Sequence, residues 1–285
     1  MQLVSYIAGG QAALGALDGE SIVEFGGGQI PADMTEFLAG GEAALEAARE
    51  ALAKGERRVE RSSVEFLPVV PRPPKIVCVA RNYGAHAAEA NVQLLEVPNI
   101  FIRFPRSLVG HGAPVLVPRV SSQVDWEAEI AVVIGTPGKH IPKERAYEHV
   151  AGYTLFNDVS IRDWQLRTPP IQFGAGKNFD GSGPLGPALV TSDEVGDPHA
   201  LHLELRIDGE VMQSTSTADM LFDIPTLIEH ISAFATLEPG DVIATGTPAG
   251  VGHFRDPPRY LVAGEVVEVE ADRLGVLSNP VENEP

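Results

Sequence analysis

Val124-Asp125-Trp126-Glu127-Ala128-Glu129-Ile130-Ala131-Val132-Val133-Ile134 sets three carboxylates on alternate residues at the head of an apolar, β-branched run. Such a run reads as a strand, whose successive side chains point to opposite faces. Asp125, Glu127 and Glu129 are thereby expected on one face, with Ile130, Val132 and Ile134 on the other. Carboxylates this close repel one another unless a positive charge lies between them. Hard cations with oxygen ligands, Mg²⁺, Mn²⁺ or Ca²⁺, are the natural candidates. A solvated acidic strand face is the alternative, and spacing does not separate the two.

Downstream, Gly152-Tyr153-Thr154-Leu155-Phe156-Asn157-Asp158 is an apolar strand ending on a carboxylate, well placed to complete a site built by a neighbouring strand. Asp158 could equally cap the turn that begins at Val159-Ser160. In Phe173-Gly174-Ala175-Gly176-Lys177, small residues flank a lysine and let a ligand approach the backbone. Arg81-Asn82-Tyr83-Gly84-Ala85-His86-Ala87-Ala88-Glu89 sets His86 and Glu89 three apart, on one face of a helical turn. A carboxylate holding an imidazole makes a general base near neutral pH, although such pairs also occur as ordinary surface contacts. Thr245-Gly246-Thr247-Pro248-Ala249-Gly250-Val251-Gly252 could offer amide and hydroxyl donors to an anion. It lacks the Gly-Lys-Ser/Thr ending of a phosphate-binding loop, so nucleotide binding is not expected there.

Lys and Arg number 21 against 39 Asp and Glu, a net charge of −18, which argues against a nucleic-acid or anionic-membrane footprint. An anionic substrate therefore needs a local island of metal and Arg or Lys. The single cysteine, Cys78, lies in an apolar run and excludes an internal disulfide framework. Together with the absence of a long apolar stretch, this suggests a soluble cytoplasmic protein with no membrane partner.

Residues 1–67 read as a small N-terminal α/β module, with strands near Leu3–Ile7, Ala12–Leu17 and Ser21–Phe25 and a helix over Gly41–Lys54. Pro68-Val69-Val70-Pro71-Arg72-Pro73-Pro74 reads as a stiff extended linker, since each proline fixes its own φ and restricts the residue before it. Residues 68–285 then form the second domain. Its short strands are punctuated by Gly and Pro, with one clear helix near Met220–Ala235. Helices do not alternate with strands, so the expected class is α+β, predominantly β, with a mixed β-sandwich or roll core.

Six segments in this order resemble the fumarylacetoacetate hydrolase (FAH) superfamily across roughly residues 70–282. They are Arg81-Asn82-Tyr83 with His86 and Glu89; Asp125-Trp126-Glu127-Ala128-Glu129; Asn157-Asp158 with Arg162-Asp163 and Gln165; Lys177 with Phe179-Asp180; Gln213–Thr217; and Thr245–Gly252. The N-terminal module is similar to that of bacterial acylpyruvate hydrolases and hydroxymuconate-type isomerases. The resemblance implies an FAH-type roll, usually a homodimer, and a divalent metal, Mg²⁺ or Mn²⁺, on Glu127, Glu129 and Asp158. Asp125 becomes a support for the ligands. A His86–Glu89 dyad on a mobile segment is implied as the proton-transfer pair.

The activity this suggests first is hydrolysis of a carbon–carbon bond in an acylpyruvate such as fumarylpyruvate, a small anionic 2-oxo acid. His86 would activate water, and Lys177, with Gln165, would stabilise the oxyanion. Arg162 and Thr247 are candidates for the substrate carboxylate, and Arg103 for a second one. The alternatives are an isomerase or tautomerase of a 2-hydroxymuconate-type diacid, an oxaloacetate decarboxylase, and, from another class, a non-catalytic 2-oxo acid binding protein.

Overall fold

The acidic stretch is not one continuous strand in the computed structural model, which describes residues 1–25, 30–91 and 93–285. Val124–Asp125 pairs with Ser160–Ile161 in a separate two-stranded sheet, and Ala128–Ile134 begins anew in the main sheet. At the break, side-chain acceptors replace ladder partners. Trp126 N–H donates to Asp125 Oδ1 at 2.8 Å, Glu127 N–H to Asn157 Oδ1 at 3.0 Å and Ala128 N–H to Gln213 Oε1 at 2.9 Å.

The main sheet runs in spatial order Arg58–Glu60, Ser21–Glu24, Gln11–Asp18, Gln2–Ala8, Gly183–Thr191, Val150–Asn157, Ala128–Ile134, Val242–Ala244, Ile76–Ala80 and Asn99–Arg103. Ala128–Ile134 lies near its middle and is buried on both faces. Ile130, Val132 and Ile134 join a core shared with Leu203, Leu205 and Val269 of a second sheet. Ala131 and Val133 pack in a different core, with Met34 and Phe37 of the N-terminal helices. The five-stranded second sheet contains Glu210–Ser216, His202–Ile207, Val266–Ala271, Gly275–Asn283 and Val115–Val117. Two sheets over one core, mostly antiparallel, give the predominantly β α+β architecture expected from the sequence.

The main sheet also crosses the position where composition sets a boundary. Gln2–Ala8 hydrogen-bonds antiparallel to Gly183–Thr191, with Leu3 opposite Leu189. The proline-rich segment, expected as an extended linker, bends at residues 69–72 and 74 and is packed rather than free. Val69 and Val70 are wholly buried, and Ser5 Oγ donates to the Val69 carbonyl at 2.9 Å.

Candidate metal and proton-transfer site

Strand register builds the acidic cluster. Ala128 stands opposite Asn157, so Asp158, just past its strand, comes beside Glu127 and donates its N–H to the Glu127 carbonyl at 2.9 Å. One oxygen from each of Glu127, Glu129 and Asp158 lies within 4.8 Å of the others, and all three residues are buried. Burial opposes ionisation of Glu127, but the nearby charges of Lys177, Arg162 and His86 hold its carboxyl down to about 2. Burial and the charges of Asp158 and Glu127 push Glu129 well above the usual carboxylate range. Three hard oxygen donors converging under mutual repulsion are the set that a divalent cation neutralises, so these residues fit Mg²⁺ or Mn²⁺.

Buried cations brace the cluster from behind. The Lys177 ammonium donates to Glu127 Oε2 and Asp158 Oδ2, each at 2.7 Å, and to the Asp158 carbonyl at 2.9 Å. Its three donors are thus engaged, and the geometry makes it a fixed countercharge, whereas the sequence suggested a free oxyanion donor. Arg103 also departs from expectation. It lies beneath the cluster, 1 % exposed, donating to Asp158 Oδ1 at 2.5 Å and Ser182 Oγ at 2.7 Å, and it is not part of the cavity wall. Arg162 reaches the cavity, but its donors go to Asp125 Oδ2 and Glu127 Oε1 at 2.7 Å and Gln165 Oε1 at 2.8 Å, leaving no free fork for a substrate carboxylate.

The helix Gly84–Glu89 brings His86 Nδ1 within 2.8 Å of Glu89 Oε1. Glu89 Oε2 in turn accepts the Gly250 N–H at 2.9 Å. The loop that supplies this bond also donates Gly246 N–H to Glu129 Oε2 at 2.9 Å and Gly252 N–H to Asp125 Oδ1 at 2.7 Å. One loop therefore ties a candidate metal ligand, the dyad carboxylate and the Asp125 support. Gly246 and Gly250 have φ of 97° and 103°, and a Cβ at Gly250 would stand 2.3 Å from the Met212 carbonyl oxygen.

His86, Glu127, Lys177, Gln165 and Thr247 line one cavity of about 220 Å³, with Phe101, Phe173 and Phe254 among its apolar walls. Thr247 Oγ1 accepts from Gln213 Nε2 at 2.9 Å and keeps its own O–H. Two wall residues escaped the sequence reading. Arg81 holds φ of 63°, unusual for a residue with a side chain, and forms no ion pair among the described residues. Its position directly after a buried strand is a signal visible in the sequence. His253 follows the glycine-rich loop, and only the fold shows that it turns toward the cavity.

Residues 75–282 match the family model described as fumarylacetoacetate (FAA) hydrolase C-terminal. The chain belongs to the fumarylacetoacetate hydrolase family. It is 51 % identical over 252 residues to the human mitochondrial oxaloacetate tautomerase FAHD2A, covering 88 % of this chain and 80 % of that one. Identity to the oxaloacetate tautomerase YisK of Bacillus subtilis is 41 % over 265 residues, covering 88 % and 87 %. Among solved structures, the maleylpyruvate hydrolase of Sphingobium sp. SYK-6 in complex with manganese and pyruvate superposes with a TM-score of 0.84 at 29 % identity, each chain fully covered. This FAH-family protein is thus an enzyme with an acidic triad fit for a metal. Among the described residues, no helix is long and apolar enough to cross a membrane.

Proposed function

We propose that this FAH-family enzyme is a metal-dependent keto–enol tautomerase of oxaloacetate or a closely similar 2-oxo dicarboxylate. The observation that carries the reading is that His86, held by Glu89, and Glu127 of the acidic triad line one cavity whose wall includes the unpaired Arg81. The named activity of the human and Bacillus relatives supports it.

Glu89 accepts from His86 Nδ1, which leaves the neutral ring with Nε2 as its base. His86 takes a proton from C3 of the substrate, the C–H electron pair becomes the C2=C3 bond, and negative charge moves to the 2-oxo oxygen. The same imidazolium returns its proton to that oxygen, giving the enol without net addition of water. Glu127, Glu129 and Asp158 would hold Mg²⁺ or Mn²⁺, which when bound supplies Lewis-acid polarisation of the 2-oxo group. Arg81 supplies a guanidinium for the distal carboxylate.

Hydrolysis of an acylpyruvate is the second reading, favoured by the likeness to maleylpyruvate hydrolase. It requires an oxyanion donor, and the engagement of Lys177 with Glu127 and Asp158 weighs against it. Following enol absorbance of oxaloacetate alongside pyruvate release from oxaloacetate, acetylpyruvate and fumarylpyruvate separates the readings. Metal-dependent, chelator-sensitive enol–keto conversion without pyruvate is expected. Pyruvate from an acylpyruvate, with oxaloacetate tautomerising at the buffer rate, would overturn the tautomerase reading in favour of hydrolysis.

A further inference from the structure

We propose that His253 donates a hydrogen bond to the distal carboxylate of the substrate and so selects 2-oxo dicarboxylates over 2-oxo monocarboxylates. This inference rests on the tautomerase reading and adds a specificity residue to it. His253 lines the same cavity as His86, and the Phe254 ring packs against both, its centroid 5.1 Å from that of His253 and 6.1 Å from that of His86. Its backbone is clamped, because His253 N–H donates to Asp125 Oδ2 at 3.0 Å beside the Gly252 bond to Oδ1. Asp125 also grips Arg162, which grips Glu127, so the imidazole is referenced to the acidic triad through three buried side chains.

The partner of Nδ1 sets the tautomer of the ring. The Tyr260 hydroxyl lies 2.9 Å from His253 Nδ1 and 3.4 Å from Gln123 Oε1. The second distance is long for an O–H···O bond, and with the hydroxyl proton given to Nδ1 the ring hydrogen sits on Nε2, the tautomer that serves a carboxylate. Nε2 has no partner among the described residues and is not one of the buried unpartnered atoms, so it is an accessible donor in the cavity wall. Burial and the charge of Arg162 lower the imidazole's pKa against the opposing pull of Asp125, keeping it neutral at physiological pH. A neutral N–H donor of fixed direction, in a cavity that also holds Arg81, suits a carboxylate oxygen left over once the 1-carboxylate and 2-oxo group face the triad.

The test compares deuterium uptake at C3 of oxaloacetate and of 2-oxobutanoate, which lacks the distal carboxylate, by NMR with Mn²⁺ present and the buffer rate subtracted. His253→Phe is expected to lower the ratio of the two kcat/KM values at least about tenfold, the loss of one hydrogen bond to a charged group. His253→Gln, whose amide offers N–H near the Nε2 position, restores most of that ratio. Tyr260→Phe keeps the imidazole but frees its tautomer, and lowers the ratio by less. Should His253→Phe fail to fold, as calorimetric titration with Mn²⁺ reveals, the Gln and Tyr260 variants carry the comparison. A ratio equal to wild type in His253→Phe and Tyr260→Phe overturns the inference while leaving the tautomerase reading standing. No exchange of either substrate by the wild-type enzyme overturns the functional reading, and this inference with it.

Discussion

Arg162 Nε donates to Asp125 Oδ2 at 2.7 Å, with the two side chains only 6 % and 0 % exposed. Arg162 is held above its usual range by the neighbouring acids despite its burial, so it remains charged, and Asp125 supplies part of its countercharge. Asp125 also accepts the Gly252 and His253 N–H groups. Trp126 N–H is a third amide on the same carboxylate, so Asp125→Ala leaves a buried guanidinium half-compensated and three amides unpaired. Breaking a buried pair from one side costs about 3–5 kcal/mol, and urea unfolding of the variant is expected to show a loss in that range. A loss under about 1 kcal/mol, within the range of ordinary surface substitutions, would show that the pair is dispensable.

Metal binding and proton transfer are separable by substitution. Glu129→Gln removes a candidate ligand and is expected to abolish Mn²⁺ heat in calorimetric titration together with enol conversion. His86→Asn leaves the three carboxylates intact. It is expected to keep the Mn²⁺ heat while lowering enol conversion by roughly 10²–10⁴, the usual range for a general base. Loss of Mn²⁺ binding in His86→Asn would place the imidazole in the metal site instead.

Lys177 is bonded to Glu127 and Asp158, two of the carboxylates that would hold the ion. Lys177→Met removes their standing countercharge and concentrates negative charge in a buried site. The metal-free variant is expected to melt below the wild type, and saturating Mn²⁺ to raise its Tm by more than it raises the wild type's. Equal shifts in the two proteins would argue that lysine and ion act independently.

The sequence exposes most of the core strands because their burial leaves a one-dimensional trace. The apolar run that holds Cys78 is the strand Ile76–Ala80, and Gly41–Lys54 is the expected helix. Gly275–Asn283 is not recognisable as a strand, because the consecutive polar pair Ser278-Asn279 and Pro280 disguise a segment whose Leu277 and Val281 are buried. Glu127, Glu129, Asp158, His86 and Glu89 could be named because their chemistry is carried by residue type and order. The engagement of Arg103 and Arg162 could not, since whether a guanidinium is free depends on acids that the fold brings from 55 and 37 residues away.

His111 offers a pH dependence unrelated to the catalytic cavity. Its Nδ1 accepts the Ser278 N–H at 3.1 Å, and its ring packs edge-on to Phe66 at 5.5 Å, so it joins the first 67 residues to the second sheet. Accepting that bond requires the neutral ring. Burial, with help from Arg61 and against Glu268, lowers its pKa below the ordinary value of 6.5. As pH falls through about 6.5 the unfolded chain therefore takes up the proton first, and stability is lost progressively until the folded-state value is passed. Urea midpoints measured from pH 7.5 to 5 are expected to fall more steeply in the wild type than in His111→Gln, whose amide oxygen can accept without titrating. Parallel slopes would show that the imidazole is already charged in the folded protein, or that the Ser278 bond is lost at no cost.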